Sequence, residues 1–183
     1  MKTFDTGQLL ENLERQTAQH LKQAETVYRY LSAELLNKPS AVGGWSIAQC
    51  LSHLNSYSAH YLPRTERALR KAQPPISATF TRGWLGNYFI NMMDPDVNKA
   101  RYSAMKKHVP PVNLPAGQIL DQFIAWQSEL LSYLQQAKEK NLDTTRVSTS
   151  ISPLIRMKLG DTLQFIVMHN ERHIRQANRN LIR

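Results

Sequence analysis

Apolar residues recur at helical spacing in four long stretches of the chain, and nowhere do they alternate persuasively as in a strand. Leu9, Leu10, Leu13, Leu21, Ala24, Val27, Tyr28 and Leu31 form a stripe near the 3.6-residue period. They predict a first helix from about Thr6 into the low thirties, with room for a short extra turn at 32–36 before Asn37-Lys38-Pro39. A second helix is expected after Ser46, with Ile47, Leu51, Leu54 and Leu69 facing inward. It runs to about Lys71, is bent at Pro63, and is stopped by Pro74-Pro75. Residues 75–115 read as irregular, broken by Pro95, Pro110, Pro111 and Pro115, with one short helix near 83–93. Connections of that length are usually functional or mobile. Leu120, Phe123, Ile124, Leu130, Leu131 and Leu134 place a third long helix over about 116–140. A Ser/Thr-rich loop with Pro153 precedes a last helix from Asp161 to about Leu181. Four long amphipathic helices and one long connection predict an all-α four-helix bundle with a long crossover, as one domain over residues 1–183.

Helix starts carry their own signature. Asp5-x-x-Gln8, Ser46-x-x-Gln49 and Asp161-x-x-Gln164 each offer an N-cap oxygen and, three residues on, an amide that can reach back to the cap. Trp45 and Cys50 are placed to staple the second start. The composition, 42% apolar and 20% charged, is that of an ordinary soluble domain. A lone cysteine, Cys50, excludes an internal disulfide framework and reads as a small buried apolar residue. No segment has the apolar run of a signal peptide or a membrane span, so the expected location is the cytoplasm. The formal charge of +9 leaves nucleic acid open in principle. Its densest groups, Arg64/Arg67/Arg70/Lys71 and Arg172/Arg175/Arg179/Arg183, read as solvated helix faces. No aromatic residues interleave with them, which argues against a nucleic-acid partner.

Candidate chemistry lies in the six histidines. His169 and His173 are four apart on the last helix, so their imidazoles share a face within reach of one ion. A zincin would need Glu directly after the first histidine, and Asn170 stands there. Glu171 points about 200° away from His169 at 100° per residue, so it cannot take the base role. The pair flanks the apolar stripe Leu163, Ile166, Val167, Ile174 and Ala177, away from the arginine side. His53 stands one residue before Leu54 as His173 stands one before Ile174, so both helices point an imidazole from the same edge of the core. Packed as neighbours, they would converge on a shared cleft, which Tyr57 is placed to line. The competing reading is three separate histidines bonded to carbonyls or water. His20, His60 and His108 read as surface or packing residues.

Trp45-Ser46, followed by His53-Leu54, resembles the W-S-x-x-x-x-x-x-H-L segment of the DinB-like superfamily. His169-Asn170-Glu171-Arg172-His173-Ile174-Arg175-Gln176 is similar to the H-x-x-R-H-x-x-Q run of that family's closing helix. Element order and length agree over most of the chain, but only these two segments are specific. The resemblance implies a four-helix bundle of the YfiT-type metal-dependent kind. It implies a divalent ion, zinc or nickel, held by His53, His169 and His173. It also implies a small-molecule substrate, with water or a low-molecular-weight thiol such as bacillithiol or mycothiol activated at the metal, and a homodimer. Hydrolase and thiol S-transferase both stay open. So does a non-catalytic bundle that holds a small ligand over a vestigial metal site, since no general base stands out near the histidines.

Overall fold

The computed structural model describes residues 2–40, 43–100 and 102–181. Strand β1 (Thr3–Asp5) leads into helix α1 (Thr6–Thr26), whose first turn is capped by Asp5 accepting from the Gln8 N–H at 2.8 Å. The helix ends earlier than its stripe suggests. After the Thr26-Val27 β-branched pair the chain tightens into a 3-10 turn over Tyr28–Tyr30. Tyr28 is fully buried there, and its hydroxyl donates to Asn178 Oδ1 at 2.7 Å, a tertiary bond that outweighs the local periodicity. Ser32 then caps the short α2 (Ala33–Asn37).

The expected reciprocal cap opens α3 (Ile47–Lys71). Gln49 N–H donates to Ser46 Oγ at 3.1 Å, and Ser46 N–H donates to Gln49 Oε1 at 3.0 Å. Strand β2 (Thr79–Thr81) returns to pair antiparallel with β1, Phe4 opposite Phe80. Helices α4 (Trp84–Met93) and α5 (Ala116–Ala137) follow. The Ser/Thr-rich stretch around Pro153 is a hairpin: β3 (Arg146–Ser148) pairs with β4 (Arg156–Lys158). Strands of three residues are too short to display alternation, which is why the pattern did not betray them.

The last helix, α6 (Leu159–Asn178), begins two residues before Asp161, so Asp161 is not its cap. The carboxylate is buried and turned away, accepting from the Gly83 N–H at 3.1 and 3.3 Å, where α4 begins. Loss of water raises its pKa to about 6, against the pull of that N–H, Lys158 and Arg82. A Cβ at Gly86 would sit 2.1 Å from Asp161 Cγ. Gly86→Ala is therefore expected to destabilise the protein by about 1–3 kcal/mol, read from the urea midpoint. A midpoint equal to wild type would show that α4 is not seated on Asp161.

Helix α1 packs on α5 and α6, and α3 packs on the same two, so the long helices run α1–α5–α3–α6 around the bundle. The second and last long helices are thus neighbours, and α4 rides on α6. Two apolar clusters fill the interior. One holds Leu62, Phe80, Leu130, Leu134 and Val167, and the other Tyr28, Leu51, Leu54, Phe123 and Ile174. On α3 and α6 the chain passes from one cluster to the other through buried polar residues, including Ser58 and His169. His20, Asn55, Gln127 and Asn170 add one buried polar side chain from each long helix. Asn170 Nδ2 donates to Gln127 Oε1 at 3.1 Å and Asn55 Nδ2 to the Ile119 carbonyl at 2.9 Å. This polar belt fixes which turn of each helix faces which. Among the described residues, no helix is long and apolar enough to cross a membrane.

Candidate metal centre

His53 from α3 and His169 and His173 from α6 meet, each offering one ring nitrogen, with these atoms all within 4.8 Å of one another. His53 Nε2 and His169 Nε2 are 3.2 Å apart. For comparison, two imidazole nitrogens bound to one tetrahedral ion at ~2.0–2.1 Å lie ~3.3 Å apart.

The protonation pattern suits cation binding. His53 Nδ1 lies 2.7 Å from the His108 carbonyl, an obligate acceptor, so Nδ1 carries the proton and Nε2 presents its lone pair inward. His173 Nδ1 donates to Gln176 Oε1 at 2.9 Å and leaves Nε2 free in the same way. Outer hydrogen bonds of this kind hold ligand rings in the metal-binding tautomer. Aromatic walls fix the rings further. Trp45 stacks on His173 and tilts onto His53, while Tyr57 and Phe165 pack against His169.

Burial is the main reason that all three imidazoles resist protonation. His53 is lowered from its ordinary value, with the His108 carbonyl pulling the other way. His169, the most enclosed, is driven well below it, helped by its histidine neighbours and Arg172. His173 is lowered to about 3 by burial and then by His53, Arg172 and Arg179. His60 and His108 are lowered too, His108 to about 4. The unfolded chain therefore binds more protons than the folded one once pH falls below about 6.5, and stability is lost on acidification. Asp161, raised, opposes this as one group against five. Metal-free protein is expected to melt at a lower temperature near pH ~5 than near pH ~7. A Tm that is flat or rises on acidification would contradict the burial of neutral rings.

A cavity of about 1050 Å³ opens from the three histidines. Tyr57, Tyr61, Phe89, Met92, Met105 and Phe165 give it apolar walls. Polar groups reach it from Ser150, Gln176 and the arginines of α6. Among the described residues, no Asp or Glu lines it.

Several residues that the pattern set aside prove structural to this site. His108 is buried; its carbonyl orients His53, its Nδ1 lies 2.9 Å from Ser56 Oγ, and its ring packs on Tyr57. His20 is buried with Nε2 2.7 Å from Glu171 Oε2, so Glu171 does face away from the cluster. That bond and Arg175 pull the Glu171 carboxyl down to about 2, against its burial. The expectation that the last arginines form a solvated face holds for the exposed Arg175 and Arg179 and is corrected for Arg172. Arg172 lines the cavity and donates to the Asn98 carbonyl at 3.0 Å and to the Ala100 carbonyl, with its guanidinium 5.7 Å from the centre of the Tyr102 ring. Arg175 grips Asp96 with two bonds, of 2.6 and 3.1 Å, and also holds Glu171. Arg183 lies outside the described residues. The spacing signal was present, since Arg172 is three residues after His169, but periodicity cannot say that a crossover segment lies over that face.

A model of the DinB superfamily matches residues 10–177. The chain belongs to the DinB superfamily. A Bacillus licheniformis protein named as a "putative metal-dependent hydrolase" is 32% identical over 84 residues. That match covers 44% of this chain and 48% of the relative, so the chain spans about half of that relative's length. In structure the chain is similar to YfiT from Bacillus subtilis, described as "a probable metal-dependent hydrolase with an unusual four-helix bundle topology". The TM-score is 0.51 at 18% identity, covering 96% of this chain and 85% of YfiT, a likeness that establishes the four-helix-bundle fold.

Proposed function

We propose that this DinB protein is a metal-dependent enzyme that holds one divalent ion, zinc or nickel, on His53, His169 and His173 and acts on a small molecule. The observation that carries this is the convergence on one cavity of three imidazoles that burial keeps neutral, with the Nε2 atoms of His53 and His169 3.2 Å apart. A cation held by both rings would replace the proton that these two nitrogens otherwise share, at nearly the ~3.3 Å spacing of two ligands on one tetrahedral ion. Bound there with a position left open, such an ion acts as a Lewis acid and lowers the pKa of a fourth ligand, supplying a nucleophile at neutral pH. The names of the relatives support the metal and the hydrolytic class.

The chain's own groups favour a thiol over water as that nucleophile. Among the described residues, neither the cavity nor the cluster offers a carboxylate to take a proton, and Glu171 is committed to His20 and Arg175. A free thiol near pKa ~8.5 needs far less help to ionise than water at ~15.7. Tyr57, Phe165 and Trp45 exclude water around the rings, and the His108 carbonyl and Gln176 hold the protons on the distal nitrogens.

The test is turnover by metal-loaded protein on a panel of esters, amides and alkylating electrophiles, with and without low-molecular-weight thiols. Metal-dependent consumption of an electrophile only when thiol is present is the expected result. Thiol-independent hydrolysis would reassign the nucleophile to water. Stoichiometric metal with no turnover on the panel would favour the non-catalytic ligand-binding bundle.

A further inference from the structure

Among the described residues the charge on the cavity wall has one sign. The charged side chains there, apart from the histidines, are Lys99, Arg172, Arg175 and Arg179, all cationic. The carboxylates nearest to them are Asp96 and Glu171, both bonded to Arg175. Asp94 accepts from the backbone of its own turn and faces Arg82. Arg172 is bonded only to neutral carbonyls, so its charge is directed but not cancelled. Arg179 has no hydrogen-bond or ion-pair partner among the described residues, yet its charge bears on His173 and on Cys50 beneath. Even with Asp96 and Glu171 counted in full, the wall keeps an excess of positive charge.

These groups are also arranged. His169, Arg172, Gln176 and the C-cap residue Arg179, itself in helical conformation, follow one another at spacings of three or four, so they line one face of α6 and its end along the cavity. Gln176 Oε1 is used by His173 Nδ1, and its amide nitrogen has no partner among the described residues. A free N–H donor and a free guanidinium therefore stand about one turn apart. Arg179 lies six residues beyond His173, roughly 9 Å along the axis at 1.5 Å per residue. The rest of the lining is largely apolar and aromatic, with Tyr57 of α3, Phe89 and Met92 of α4, and Phe165 of α6 beside His169.

We infer that the substrate of this site is an anion with an apolar body: a carboxylate, sulfonate or phosphate docks on Arg179 and the Gln176 amide, and the body lies against the aromatic wall with its reacting atom toward His53, His169 and His173. Arg179 is a specificity-determining residue. This deepens the proposed reaction and rests on that reading for the position of the reacting end, but the anion subsite stands on the cavity alone.

The experiment uses two fluorescent probes that differ only in the anion, 8-anilinonaphthalene-1-sulfonate and N-phenyl-1-naphthylamine. They are titrated into the folded full-length chain with and without metal. An apolar cavity without an anion subsite prefers the neutral, more hydrophobic amine. The expected result is a preference for the sulfonate that shrinks with added salt. Arg179→Gln is expected to weaken the sulfonate about tenfold while leaving the amine within about twofold, as for loss of a charge-assisted bond. Arg67→Gln, an exposed arginine of α3 away from the cavity, should change neither. Equal or weaker binding of the sulfonate, binding of neither probe, or an unchanged sulfonate affinity in Arg179→Gln would overturn the inference. Metal content measured on the same samples keeps the two readings apart, because His169→Ala is expected to lose metal and retain the sulfonate preference.

Discussion

His169→Ala is expected to leave the purified protein without stoichiometric divalent metal and without metal-dependent activity. His169 is the most enclosed of the three imidazoles, packed against Tyr57 and Phe165 with its Nε2 next to that of His53. Removing it leaves only two ligands, His53 and His173, whose ring centres lie 4.5 Å apart, beside a void between Tyr57 and Phe165. Loss of an outer hydrogen-bond partner alone typically weakens a metal site about 10–100-fold, so loss of a ligand should exceed 100-fold in affinity. His53→Ala and His173→Ala should behave alike, and Gln176→Leu should fall in the milder range. His20→Ala is the informative control. It is as deeply buried, and its loss leaves Glu171 with one partner fewer, so it should lower stability while keeping bound metal per folded chain near wild type. Metal retained in His53→Ala but lost in His169→Ala would reduce the site to the His169/His173 pair on one helix.

Arg172→Met is expected to free the crossover. The wild-type side chain reaches from α6, beside His173, to the carbonyls of Asn98 and Ala100 and to the Tyr102 ring, and Arg175 holds Asp96 just ahead of them. Few apolar groups anchor this stretch; Val97 and Tyr102 are largely exposed. Its closure over the cavity therefore depends on hydrogen bonds to charged groups, each worth about 1.5–3 kcal/mol. Without Arg172, amide exchange in residues 94–100 should accelerate by roughly one to two orders of magnitude, with little change in α3 or α5. Methionine keeps the aliphatic packing, so the change isolates the charge. Unchanged exchange would mean that Arg175 and Asp96 suffice to hold the segment.

The long helices were legible because each carries a wide apolar stripe, and the Ser46 cap was legible because a capping box is a local device. Asp161 shows the limit of that logic. The same Asp-x-x-Gln spacing caps another helix's start, since a buried carboxylate takes the N–H that tertiary packing brings to it. The shared edge of His53 and His173 was readable from the helical wheel, and the two family segments named the same residues. The roles of His108, Arg172 and Arg175 depend on where a proline-broken crossover comes to rest. No periodicity encodes that position, so the substrate side of the site was not readable from one sequence.

The central claim is that three imidazoles, one from α3 and two from α6, hold one ion. X-ray absorption on the protein loaded with one equivalent of zinc tests it most directly, because the outer-shell scattering of imidazole counts histidines. The expected spectrum shows three imidazoles at ~2.0–2.1 Å with one further light atom, and no sulfur. Cys50 should be absent from the shell, since burial pushes its thiol up to about 12 and it sits in the core cluster away from the ring nitrogens. A shell with two or fewer imidazoles, or with a sulfur ligand, would contradict the assignment.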